Sequence, residues 1–189
     1  MSRDWLRLFR EYYEQNTEIE MTFLGFVNDS SKTGAISDVQ DRLFRSQVTI
    51  SSQPISIPLF GAIVARAMQA DIIHVHLPNL LSAAALLVTP RKRGQTIIIH
   101  WHADILNKNG ILSMIAKGLQ RRLLVKADIV ICTSPNYAAH SEQLALFQEK
   151  ISVAQITRPT PVIKPADKPA FNNDNRGYIL SVGRLVDYK

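Results

Sequence analysis

The sequence predicts an α/β fold built on a doubly wound parallel sheet, and three observations carry the prediction. The runs DIIHVH (71–76), TIIIHW (96–101) and DIVIC (128–132) are nearly continuous in apolar, mostly β-branched residues. That is the composition of strands covered on both faces. Helix-length segments alternate with these runs, which calls for right-handed crossovers between parallel strands. Polar residues also gather just after each run, at the rim where such sheets bind ligands.

Taken in order, residues 4–15 read as a helix with apolar positions Trp5, Leu6, Leu8, Phe9, Tyr12 and Tyr13. IEMTFLGFV (19–27) reads as a strand, NDSSKTG as a polar loop and QVTIS (47–51) as a weaker strand. PLFGAIVARAMQ is predicted helical, followed by strand DIIHVH, helix NLLSAAALLV, strand QTIIIHW, helix 110–127, strand DIVICTS, helix 135–149 and strand ISVAQI. Residues 157–176 contain Pro159, Pro161, Pro165 and Pro169, four of the nine prolines, and then turn polar. They read as a linker, leaving 1–156 as the main domain and GYILSVGRLVDYK (177–189) as the start of another strand-and-loop unit.

The chain has 189 residues and is 46% apolar, enough for a packed core. No repeat of solenoid period is present, and the opening MSRDWLRLFREYYEQN is too charged for a signal peptide. The weakly polar run 77–89 is too short to span a bilayer. The single cysteine, Cys132, excludes an intrachain disulfide and fits a reducing, cytoplasmic compartment. A net charge of +6 favours anionic partners. The cations group as Arg3, Arg7 and Arg10, as Arg91, Lys92 and Arg93, and as Lys117, Arg121, Arg122 and Lys126. These clusters read either as solvated helix faces or as a surface for anionic lipid headgroups at the inner face of the plasma membrane. The low aromatic content and the lack of a recognised motif argue against nucleic acid.

At the rim, His76, Leu77, Pro78 and Asn79 follow DIIHV; His102, Ala103 and Asp104 follow TIIIHW; Thr133, Ser134, Pro135 and Asn136 follow DIVIC; Gly183 and Arg184 follow YILSV. His74 and His100, inside their strands, read as satisfied core histidines. His76 is a rim candidate. Asp104 either orients His102 or caps the next helix, and Ser134 with Asn136 either borders the cleft or starts a helix with proline near its first position. No metal site and no cofactor are expected.

ADIIHVHLPN, IIIHWHADI, KADIVICTSPNY and YILSVGRLVDYK, in that order, resemble the family 4 glycosyltransferases of the two-domain GT-B fold, most of all bacterial rhamnosyl and mannosyl transferases. The resemblance covers roughly residues 5–189 and is strongest from 70 to 140. It implies a Rossmann-like N-terminal domain that holds the acceptor, a C-terminal domain that holds a nucleotide-diphosphate sugar, and transfer with retention of anomeric configuration to a surface glycan, such as lipopolysaccharide, or its lipid carrier. His102 is implied to line the reaction centre; a capping histidine at a strand end is the structural alternative. Arg184 and Lys189 match the arginine and lysine that contact the donor diphosphate, where two cations suit a diphosphate leaving group.

Two departures from the family pattern stand out. Relatives open with a strand and a glycine-rich loop before the first helix, whereas this chain opens on the helix. The absent strand would leave a gap of roughly 9 to 10 Å, two strand spacings, between the strands near 19–27 and 71–76. After ISVAQI the interdomain turn of relatives is replaced by ITRPTPV. The expectation is therefore a glycosyltransferase fragment, inactive alone, with a non-catalytic module that docks on anionic membrane or glycan acceptor as the alternative.

Overall fold

The computed structural model describes residues 19–27, 42–50, 53–105 and 110–154. The chain divides into two compact units, 1–157 and 158–189, and all described residues belong to the first. The expected helix at 4–15, the linker 157–176 and the segment 177–189 with Arg184 and Lys189 lie outside the described residues.

The centre of the unit is a four-stranded parallel sheet in sequential order, formed by β5 (Ile72–Leu77), β6 (Thr96–Trp101), β7 (Ile129–Cys132) and β8 (Ile151–Val153). Two further pairs precede it. β1 (Leu24–Val27) runs parallel to β2 (Arg42–Arg45), and β3 (Val48–Ile50) pairs antiparallel with β4 (Gln53–Ile55). β1 and β5 stand in separate sheets, and among the described residues β5 pairs with β6 alone. The weaker strand expected at 47–51 is β3, whereas the RLFR strand and the antiparallel partner β4 around Pro54 were not expected from the sequence.

Four α-helices are described, and local chemistry sets their ends. α1 (Ile57–Ala67) starts where the Ser56 side chain accepts the Leu59 amide, with proline in the first turn. In α2 (Leu80–Val88) the Asn79 side-chain oxygen Oδ1 accepts the Ser82 amide at 3.0 Å. α3 (Ile111–Lys126) has the basic Lys126 in its last turn, where it complements the helix dipole. α4 (Pro135–His140) is capped by Ser134. The single helix expected over 135–149 is broken instead. Ser141 closes α4, and its hydroxyl accepts the Leu144 amide and donates to Asp104, so the backbone turns before a 3-10 helix at Ala145–Lys150. Gly94, in the turn before β6, adopts φ 79°, a left-handed conformation that glycine enters without steric cost.

Strand alternation decides which residues meet. Val75 and Leu77, Ile99 and Trp101, and Val130 and Cys132 share one face, with Ala83 and Leu86 of α2 and Leu123 and Leu124 of α3 in the same buried cluster. Trp101, Ile99, Leu123 and Val130 are fully buried. The opposite face of β5 and β6 carries His74, His76, Ile98 and His100.

The edge of the core is held by polar side chains. Gln95 is buried and donates to the carbonyls of Ala67 and Ala70, both at 2.7 Å. Arg91 donates to Gln95 O, to Lys126 O and, with one nitrogen, to both oxygens of Asp128 at 2.8 and 2.6 Å. Lys92 pairs with Asp71, and Lys126 donates to Leu87 O. Two of the three cations at 91–93 are thus engaged in local structure.

Candidate functional site

The register aligns the carboxyl ends of three strands. Leu77 pairs with Trp101 and Trp101 with Cys132, so Pro78, His102 and Thr133 sit at one level just beyond them. The His102 amide continues the ladder by donating to Leu77 O at 3.0 Å. His76, Asn79, His102, Asp104 and Ser134 therefore gather at one rim. Asn136 lies in the first turn of α4, and its carbonyl accepts a hydrogen bond from His140 Nδ1.

The roles divide once contacts are known. Asn79 and Ser134 serve as helix caps. Asp104 does neither of the two things expected of it. It does not cap α3, whose cap position is Gly110 with no side-chain hydrogen bond, and no hydrogen bond joins it to His102 among the described residues. Instead its Oδ1 accepts from Trp101 Nε1 at 2.9 Å, Tyr137 Oη at 2.6 Å and Ser141 Oγ at 2.7 Å. The carboxylate thus ties the β6 exit to α4. Burial alone would raise its pKa, but the hydrogen bonds from Ser141, Tyr137 and Trp101 hold it below the usual carboxylate range. The Tyr137 hydroxyl is pushed up to about 12 by burial and by its bond to that carboxylate. Burial also raises the Cys132 thiol, which leaves it inert.

Histidines dominate the other face. His76 and His100 are direct cross-strand partners, and their neighbours two residues away, His74 and His102, fall on the same side. The four rings stack nearly parallel, with centroids 4.9 Å apart for His74 and His76, 4.9 Å for His76 and His100, 4.5 Å for His100 and His102, and 5.1 Å for His76 and His102. His76 Nδ1 lies 2.8 Å from His102 Nε2. Burial, then the nearby imidazoles of His74, His100 and His102, pushes the His76 pKa down to about 3; burial, then His102 and His74, brings His100 to about 4. Burial lowers His74 and His102 as well. All four are therefore neutral at pH 7, each with one N–H and one lone pair. Exposed at the rim, His102 is equipped to donate to or accept from a ligand hydroxyl.

His100 corrects a sequence expectation. It is buried, yet neither ring nitrogen has a hydrogen-bond partner among the described residues. Its neighbours on that face are stacked rings, so its nitrogens lie edgewise to them and not against backbone carbonyls. The block also went unseen as a unit. HVH and HWH each place two histidines on one face, but the register that brings the two pairs together is a tertiary fact.

Residues 2–155 match the model of the family described as Glycosyl transferase 4-like domain. The chain belongs to that family. It is 29% identical over 105 residues to the O-antigen chain mannosyltransferase C of Escherichia coli, a match covering 55% of this chain and 27% of that protein. It is 25% identical over 109 residues to the D-rhamnosyltransferase WbpZ of Pseudomonas aeruginosa, covering 58% of this chain and 28% of that protein. The matched part thus spans little more than a quarter of either relative. No solved structure is significantly similar to the chain. The family and both relatives support a glycosyltransferase-like role, and no described helix is long and apolar enough to cross a membrane.

Proposed function

We propose that this chain is the acceptor-side domain of a retaining glycosyltransferase that moves a hexose, such as mannose or rhamnose, from a nucleotide-diphosphate sugar to a surface glycan or its lipid carrier, on the cytoplasmic side of the membrane. The observation that carries the reading is the alignment of His76, His102, Asn79 and Ser134 at one strand-end rim in a chain of this family. His102, neutral and exposed, contacts the transferred sugar. Arg184 and Lys189 hold the donor diphosphate on this reading, and the strand-end rim holds the acceptor. The test combines binding and turnover, using oligosaccharides and lipid-linked glycans ending in mannose or rhamnose with a panel of nucleotide sugars. Saturable acceptor binding is expected, with turnover lost in His102→Ala. Turnover equal in the parent and His102→Ala contradicts the contact with the transferred sugar, and absence of binding to every acceptor contradicts the reading.

A specific surface favours a second reading, a non-catalytic module that docks on anionic membrane. α3 exposes Ile111, Met114, Ile115 and Val125 on a stripe that also carries Arg121 and Arg122. Apolar residues beside cations suit an interfacial helix. This reading expects binding to phosphatidylserine vesicles that weakens as salt rises, with no affinity for a nucleotide sugar.

A further inference from the structure

Three histidines on adjacent strands bring ligand-competent nitrogens together. One ring nitrogen from each of His74, His76 and His100 lies within 4.8 Å of the others. The arrangement follows from sheet geometry. Residues two apart on β5 place His74 and His76 on one face, and the register sets His100 directly across from His76. The second observation is independent: His100 is 5% exposed and neither of its nitrogens is hydrogen-bonded among the described residues. A buried polar group without a partner carries a desolvation cost of about 1–3 kcal/mol, and such groups call for an explanation. A metal ion supplies one, because coordination satisfies a buried imidazole lone pair more strongly than any neutral contact.

We propose that His74, His76 and His100 form a binding site for a divalent transition-metal ion of the zinc type, with His102 as the hydrogen-bonded neighbour that orients His76. Imidazole nitrogens select zinc, cobalt or nickel over magnesium or calcium, which prefer oxygen. Three histidines leave one position open on a tetrahedral ion. Two nitrogens on such an ion stand about 3.3 Å apart, so the widest pair closes by ~1.5 Å. Turning the rings about their soft χ2 torsions provides that movement. His76 Nδ1 faces His102 Nε2 at 2.8 Å. When the other nitrogen of His76 holds the ion, Nδ1 carries the proton and donates it to His102, which fixes both rings.

The test uses the untagged chain, stripped with chelator and desalted, and titrated with Co²⁺ while the visible d–d absorption is followed, then with Zn²⁺ in competition. Saturable one-to-one binding is expected, with a low-coordinate cobalt spectrum that Zn²⁺ abolishes. His74→Ala and His76→Ala, each checked for folding by circular dichroism, weaken binding by about 100-fold or more, and His102→Ala by about 10-fold. His140→Ala leaves it unchanged. Because the His100 position is buried, the two β5 variants decide the matter if His100→Ala fails to fold. Failure to bind either ion, parent-level affinity in His74→Ala and His76→Ala, or loss of binding in His140→Ala each overturns the site. Parent-level affinity in His102→Ala overturns its orienting role. The readout is metal binding alone and does not depend on the glycosyltransferase reading.

Discussion

His76 Nδ1 and His102 Nε2 face each other at 2.8 Å across the ends of two neighbouring strands. Two neutral imidazoles at that distance need opposite states on the facing nitrogens, one N–H and one lone pair. Long-range nitrogen–proton spectra of the imidazoles at pH 7 should show one protonated and one bare nitrogen in this pair. In His102→Ala the His76 nitrogen resonances should shift. Two doubly protonated rings at pH 7 would contradict the described geometry.

Asp104 collects three side-chain donors on one oxygen. Asp104→Ala should cost about 2–3 kcal/mol of stability, because hydrogen bonds to a charged acceptor are the stronger kind and the abandoned donors include the hydroxyl of buried Ser141. Asp104→Asn, which keeps an acceptor oxygen, should cost about half as much. Urea unfolding measures both, and equal midpoints for the parent and Asp104→Ala would remove the carboxylate from its joining role.

The depressed histidines make stability fall in acid. His76 and His100 titrate near 3 and 4 in the folded protein, against an ordinary value of 6.5. Between those limits the unfolded chain binds more protons, so stability rises with pH through the window and is lost as pH falls from about 6.5 toward 4. With chelator present, the urea midpoint should drop between pH 7 and pH 5. The drop should shrink in His76→Gln and persist in His140→Ala. A midpoint that is unchanged or higher at pH 5 contradicts the burial of these rings.

Arg91 joins the turn before β6 to the end of α3 through Gln95 O, Lys126 O and the Asp128 carboxylate. Arg91→Lys keeps the charge and loses the planar fork, so it should destabilise by about 0.5–1 kcal/mol despite its conservative appearance. Equal thermal midpoints, within a degree, for Arg91→Lys and the parent would assign the cluster no structural role.

Legibility followed the strength of local patterns. β5, β6 and β7 were readable because buried parallel strands leave continuous apolar runs, and α1, α2 and α3 because helix-length segments flank those runs; of α4 only the start was readable, from Ser134 and Pro135. The RLFR strand was hidden because two adjacent apolar residues between arginines show neither strand alternation nor helical spacing. The break at Ser141 was hidden because its cause is a hydrogen bond to Asp104, 37 residues earlier. The histidines were visible one strand at a time. That His74, His76, His100 and His102 form one block depends on the β5–β6 register, and the orphaned state of His100 depends on which neighbours that register supplies.

Titrating the isotope-labelled chain with mannose- and rhamnose-terminated acceptor glycans, residue by residue in nuclear magnetic resonance, tests the acceptor-side assignment most directly. Saturable shifts centred on His76, Asn79, His102 and Ser134, lost in His102→Ala, are the predicted result. Shifts confined to α3, or none with any acceptor, would contradict it.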